Sequence, residues 1–283
     1  MSKHKIAIVT DSSAYIPKEI QAGLDIHVIP VWLIWDGKSY RDGVDIDSET
    51  FYKRLVESEQ LPTTSQPTCD EFKHVYQRLA EDVDAIVNVL VSSKISGTID
   101  NAQAAITELP EIDIRIVDSL FSSAGLCLAV LEAARAAAAG KSAGEVVAAA
   151  EKARDNSQLL FIADTLEYLY KGGRISGGKR LLGTALKIKP ILQFEEGYIR
   201  PLSQARTSKK AIVRLLEIIA ERLADRKMEE AIIVDINNEA GGSKVKELII
   251  ESFKPEKVFR SGVSPVVGTH VGPGAIGVAF RMI

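Results

Sequence analysis

The first 120 residues alternate short apolar runs with amphipathic stretches. "KIAIVT" (Lys5–Thr10) is a compact apolar run ending at Asp11, the pattern of a strand buried on both faces. "IHVIPVWLIW" (Ile26–Trp35), "DAIVNVLVS" (Asp84–Ser92) and "DIRIVDS" (Asp113–Ser119) predict three more strands. Helical spacing appears between them: in "CDEFKHVYQRLAE", Phe72, Val75, Tyr76 and Leu79 fall on one face. Such alternation predicts an α/β unit with a parallel sheet. "SSAGLCLAVLEAARAAAAG" then predicts a long helix, with serines to cap its start and Gly140 to end it. A further helix, "SAGEVVAAAEKARDN", has Ser142 as its expected N-cap.

Past Asn156 the pattern changes. "QLLFIA", "KPILQF", "YIRPLS" and "EAIIVDI" are strand-like, with "FEEGYI" as a hairpin turn between the second and third. Two long helical patterns, "TSKKAIVRLLEIIAERLADR" and "GGSKVKELIIESF", follow the hairpin, and "AIGVAF" predicts a closing strand. Hairpin-linked strands with helices between them predict an α+β unit with a mixed or antiparallel sheet. With 283 residues, more than one small core needs, the expected organisation is an N-terminal α/β domain over 1–156 and a C-terminal α+β domain over 157–283.

Composition narrows the function classes. At 46% hydrophobic and 26% charged the chain reads as soluble and globular, and a net charge of -3 offers no basic field for nucleic acid. Two cysteines, Cys69 and Cys127, are too few for a disulfide framework and read as reduced packing residues, as in the cytoplasm. The N-terminal apolar run is too short for a signal peptide. The most apolar long stretch carries Glu132 and Arg135 and falls short of a membrane span.

Several conspicuous motifs fail on context. "GGRISGGK" has phosphate-loop spacing through Gly173, Gly178 and Lys179, but Arg180 stands where Ser or Thr should reach magnesium, and the preceding segment reads as helix. "GPGAIG" (Gly272–Gly277) has dinucleotide-loop lettering with too little chain after it, so a tight turn before the last strand is expected instead. The carboxylates of "DGVDID" (Asp42–Asp47) lack Ca²⁺-loop spacing and read as caps and turns around the next helix. The four histidines, His4, His27, His74 and His270, form no pair at metal-ligand spacing, and no serine nucleophile elbow is expected. No metal or cofactor is implied.

Four polar segments remain: the Asp11-Ser12-Ser13 turn, "TTSQPT" (Thr63–Thr68), "SSKISGT" (Ser92–Thr98) and "THVGPG", where His270 precedes a glycine turn. The first and third follow predicted strands, at the carboxyl ends where open α/β sheets bind ligands. Ser96 stands at a helix start, where its hydroxyl and nearby N–H groups either cap the helix or face an anion. Thr64 and Ser65, beside Pro67, read either as a hydroxyl-rich turn or as part of an oxyanion site.

At this point the chain resembles a known family. "VTDSS", "TTSQPT", "SSKISGT", "VDS", "YLYKGGRIS", "LKIKPIL", "ARTSKKAI" and "HVGPGAIG" are similar, in order from Val9 to Gly277, to the signature segments of the DegV family. That family includes the fatty-acid-binding subunits of bacterial fatty acid kinase. Thr68 and Ile95 depart from its commoner Ser and Leu but keep their character. The resemblance implies two α/β domains with one long-chain fatty acid, such as palmitate, buried between them. It implies Thr64 and Ser96 as carboxylate partners, with Ser65 and Gly97 in the same segments, His270 in the hydrogen-bond network and Arg174 at the pocket edge. Arg206 would lie near a surface that meets a partner kinase. The expected role is a non-enzymatic carrier that presents the acid for conversion to acyl phosphate, with only transient membrane contact. Two alternatives stay open: a serine hydrolase or acyltransferase with Ser96 as nucleophile and His270 as base, and a lipid-sensing regulatory module.

Overall fold

The computed structural model describes residues 5–58, 60–175 and 188–283. Among the described residues, thirteen strands and ten α-helices follow one another. The first part runs β1 (Ile6–Asp11), a 3-10 turn (Ser12–Ala14), α1 (Lys18–Gln21), β2 (Ile26–Ile29), β3 (Trp32–Trp35), β4 (Lys38–Arg41), α2 (Ser48–Glu57), β5 (Thr63–Ser65) and α3 (Cys69–Ala80). It continues through β6 (Ala85–Leu90), α4 (Thr98–Thr107), β7 (Ile114–Asp118), α5 (Ser123–Ala138) and α6 (Ala143–Asp155). The remainder comprises β8 (Ser157–Ile162), α7 (Glu167–Lys171), β9 (Lys189–Glu195), β10 (Tyr198–Ala205), α8 (Ser208–Leu223), β11 (Met228–Asp235), α9 (Glu239–Phe253), β12 (Lys257–Ser261), α10 (Pro265–Val271) and β13 (Ile276–Met282).

Strands β2-β1-β6-β7 form an all-parallel sheet, and every residue of β1 and β6 is buried. A six-stranded sheet takes the order β10-β9-β8-β13-β11-β12; it is antiparallel except for the β11–β12 pair, hence mixed. The β9–β10 hairpin turns through Glu196 and Gly197, both at positive φ, which matches the right-handed twist of the strands it joins.

The apolar run Ile26–Trp35 departs from expectation. It forms two strands in two different sheets instead of one long strand. Pro30 lacks an N–H to continue a ladder, and the next N–H, of Val31, donates to the Ser12 hydroxyl instead. Beyond this break β3 joins a small antiparallel sheet, β4-β3-β5. "TTS" is therefore paired with β3 as a strand, where the sequence suggested only a turn.

Helix α5 is apolar on nearly all sides, as a helix without a solvent face must be. It touches β1 and β6 of the parallel sheet and β8, β11 and β13 of the mixed sheet. Ser142 caps α6 through a capping box with Glu145, as its spacing predicted. At the far end of α5, Arg135 makes a two-pronged contact with buried Glu230 of β11, at 2.6 and 2.8 Å. Asp47 caps α2, and Asp45 pairs with Arg41, so two of the "DGVDID" carboxylates are the caps and turns the sequence suggested. Gly272 and Gly274, both at positive φ, shape the turn between α10 and β13.

Candidate functional site

Side chains from both halves of the chain line one cavity with about 880 Å3 of atom-free space, its open mouth included. Its walls are mostly apolar: Leu159 and Phe161 of β8, Phe194 of β9, Ile199 of β10, Val234 of β11, and Val266, Val267 and Val271 of α10. These inward residues are strand and helix positions whose pattern announced burial, but nothing in the pattern separated a cavity wall from a packed core.

Thr64, Ser96, His270 and Arg174 line this cavity together. Thr64 Oγ1 lies 2.8 Å from His270 Nε2. Arg174 donates from Nε to the Ile95 carbonyl at 3.2 Å, beside Ser96, and from Nη1 to the Gly172 carbonyl at 2.6 Å. The "TTSQPT" and "SSKISGT" loops are tied by Asn101, whose side-chain amide donates to the Pro67 carbonyl at 2.7 Å. Thr64, Arg174 and His270 also line an outer pocket with Leu61, Tyr168 and Lys171, so they stand at the cavity mouth.

His270 is the penultimate residue of α10, a helix started by the Ser264 cap and by Pro265, and it stands beside the Gly272–Gly274 turn as expected. Its Nδ1 is buried and, among the described residues, has no hydrogen-bond partner. Gly172 makes room for that ring, since a Cβ there would collide with Nδ1. Burial, then the neighbouring Arg174 charge, lowers the His270 pKa to about 4, so the imidazole is neutral near pH 7. Burial also lowers the Arg174 pKa, and among the described residues no carboxylate pairs with its guanidinium.

Ser96 plays both sequence-level parts incompletely. Gly97 is the N-cap of α4, yet the Ser96 hydroxyl receives the Thr98 N–H at 3.3 Å and bonds the Thr98 hydroxyl at 2.8 Å. Ser96 makes no hydrogen bond to His270; each is paired elsewhere, so the serine–histidine arrangement of a hydrolase is not formed. The letters G-x-S-x-G do occur, at Gly140–Gly144, but between two helices, with Ser142 engaged in its capping box.

The remaining site candidates lie elsewhere. Ser65 alternates with Thr64 along β5 and is not among the lining residues, and Gly97 rests against the Gln66 side chain. Arg206 is exposed between β10 and α8, away from the cavity lining. Gly178, Lys179 and Arg180 of the phosphate-loop look-alike lie outside the described residues; Gly173 follows α7, a helix rather than a strand. Among the described residues no group of His, Cys, Asp and Glu is placed to hold a metal, and no helix is long and apolar enough to cross a membrane.

Fold and site together define an α/β protein with an apolar cavity lined at its mouth by hydroxyls, a neutral imidazole and one guanidinium. The chain belongs to the DegV family: the model of that family of uncharacterised proteins matches residues 5–282. DegV of Bacillus subtilis is 34% identical over 276 residues, covering 97% of this chain and 98% of its own. A DegV domain-containing protein of Listeria monocytogenes is 35% identical over 280 residues, 98% of this chain and 99% of its own. Among solved structures, a DegV family protein of Thermus thermophilus, reported for its fatty acid binding, superposes with a TM-score of 0.92 at 30% identity over 99% of this chain and all of that one (100%). The B. subtilis DegV structure, that of a fatty acid binding protein, gives a TM-score of 0.89 at 34% identity, covering 99% and 100% of the two chains.

Proposed function

We propose that this protein binds one long-chain fatty acid in the cavity and presents its carboxylate to a partner fatty acid kinase, which supplies the nucleotide and returns acyl phosphate. The observation that carries the reading is the Thr64–His270 contact of 2.8 Å at the mouth of an apolar cavity that Ser96 and Arg174 also line. The solved relatives that bind fatty acids support it.

The physics of the two ends differs. Each methylene moved from water into the apolar cavity contributes about 0.8 kcal/mol, so a sixteen-carbon tail gains on the order of 10 kcal/mol before association entropy is subtracted. The carboxylate, by contrast, is costly to desolvate without donors. With the proton on Nε2, His270 donates to Thr64 Oγ1 and leaves the threonine proton free for the acid. A Thr98 hydroxyl donating to Ser96 frees the serine proton in the same way. Arg174 adds a positive charge at the mouth. Neutral hydroxyl donors hold the acid without a tight ion pair, which leaves its oxygen free to attack a phosphoryl donor.

Phosphoryl transfer depends mainly on positioning, which a carrier can contribute without a nucleotide site of its own. Arg206, exposed at the start of α8, is our candidate for kinase docking. The test begins with organic extraction and mass spectrometry of protein purified without denaturation. Fatty acid at about one per chain is expected; a lipid-free preparation that also refuses palmitate overturns the reading. Acyl-phosphate formation with a purified kinase then separates presentation from lipid sensing.

A further inference from the structure

A second set of polar groups lines the same cavity and has no part in holding the acid head. Ser13 follows β1 in the 3-10 turn; it is 5% exposed, and among the described residues its hydroxyl has no well-aligned hydrogen-bond partner, although it lies beside the Asp11 carboxylate. Ser122 and Ser123, each 6% exposed, form the start of α5. Ser122 is the N-cap of that sixteen-residue helix, yet its side chain makes no capping hydrogen bond. The N–H groups of the first helical turn therefore lack the acceptor that a capping serine normally supplies. Asp11 completes the set, with its two oxygens taking the N–H groups of Ser13 and Val91 at 3.0 and 2.8 Å. All four residues line the cavity, and none lines the outer pocket shared by Thr64, Arg174 and His270.

The buried Ser13 hydroxyl and a helix start without a side-chain cap call for an oxygen atom. Its charge follows from the neighbours. Among the described residues Arg174 is the one Lys or Arg lining the cavity, and it stands at the mouth. The inner cluster holds an acid, Asp11, and no cation. An anion is therefore favoured at the mouth and disfavoured inside. A neutral hydroxyl suits the inner cluster, because it accepts from the serines and the helix N–H groups and donates in return.

We infer that Ser13, Ser122 and Ser123 form a subsite for a neutral oxygen carried on the acyl chain, so that hydroxylated fatty acids belong to the ligand class. This rests on the fatty acid reading above. The test compares stearic acid with a series of monohydroxystearic acids, the hydroxyl moved along the chain, as competitors for a fluorescent fatty acid on the full-length protein. One or two positional isomers are expected to bind about five- to tenfold more tightly than the others, the gain of a satisfied hydrogen bond. Ser13→Ala and Ser122→Ala, checked for native circular dichroism, should lower the ratio of that isomer's affinity to stearate's. A series in which every isomer binds more weakly than stearate, or all bind alike, overturns the subsite, as does an unchanged ratio in the folded variants. If the variants do not fold, the wild-type series alone decides. Stearate that fails to bind wild-type protein at all refutes the fatty acid reading itself, a separate outcome.

Discussion

Thr64 and His270 lie 206 positions apart in the chain and meet at 2.8 Å. One sits on the short strand β5, the other in α10, and the contact joins a strand of the first half to a helix of the second. Replacing Thr64 by Val keeps the shape and removes the hydroxyl. The imidazole then loses its partner while staying buried, which costs about 1–3 kcal/mol of stability. Palmitate affinity should fall about tenfold or more in fluorescent displacement, with urea midpoints reporting the stability loss. A Thr64→Val protein with unchanged midpoint and unchanged affinity removes this contact from the site.

The same histidine gives a prediction in pH. Its pKa in the folded protein is about 4 against an ordinary 6.5, because burial and then the Arg174 charge disfavour the imidazolium. The unfolded chain takes up that proton at higher pH than the folded one. The group's contribution to stability is thus present above pH 6.5 and lost as pH falls from there through 4. NMR of the ligand-free protein should find a neutral His270 ring at pH 5.5. An imidazolium signal for His270 at that pH is incompatible with the packing described.

Much of this architecture was legible in the residues, and the exceptions have physical causes. Strands β1, β6 and β7 and the hairpin β9–β10 announced themselves through apolar runs and turn residues, because their burial is set by local pattern. Pro30 was visible, but its consequence was not: whether a proline bends a strand or sends it to another sheet depends on the acceptor waiting for the next N–H, here Ser12. "TTSQPT" looked like a turn because a three-residue strand has too few positions to show alternation. At the site, Thr64, Ser96 and His270 stood in polar segments that the residues singled out, but their shared role, and Arg174, came only through family likeness, since convergence over such separations leaves no local trace. Ser122 and Ser123 were legible as a helix start, yet their cavity-facing position is a tertiary fact. Asp42 was read with Asp45 and Asp47 as part of the caps and turns before α2; only the fold reveals that it is buried.

The contact between α5 and the mixed sheet carries a stability prediction. Glu230 is fully buried, and Arg135 is its two-pronged partner, with Arg281 at 3.4 Å and Glu132 completing the network. Burial alone would raise the Glu230 pKa; the guanidiniums of Arg135 and Arg281 outweigh it and lower it. Arg135→Met keeps the stem and removes the charge, leaving Glu230 short of its main donor. A loss of about 3–5 kcal/mol is expected in urea unfolding. In Arg135→Met/Glu230→Gln the loss should be smaller, because the uncompensated carboxylate is gone. Equal losses in the single and double variants contradict this account of the network.

Asp42 supplies the opposite pH response. It is 2% exposed and accepts the Ser12 hydroxyl at 2.6 Å; that bond, with weaker help from the Val266 N–H and the Ser264 hydroxyl, does not offset its desolvation, and burial raises its pKa from 3.8 to about 7. The folded protein holds this proton more tightly than the unfolded chain, so the stability it contributes is present below pH 3.8 and lost as pH rises through 7. Between about pH 6.5 and 8.5, above the window of His270, the wild-type protein should lose on the order of 1 kcal/mol from this group. Asp42→Asn cannot ionise and should lose correspondingly less over the same interval. Urea midpoints of both proteins at the two ends of that interval test this, since groups common to both cancel in the difference. A wild-type curve that runs parallel to that of the Asn variant means that Asp42 is already ionised in the folded protein at the lower pH, and its donors outweigh its burial.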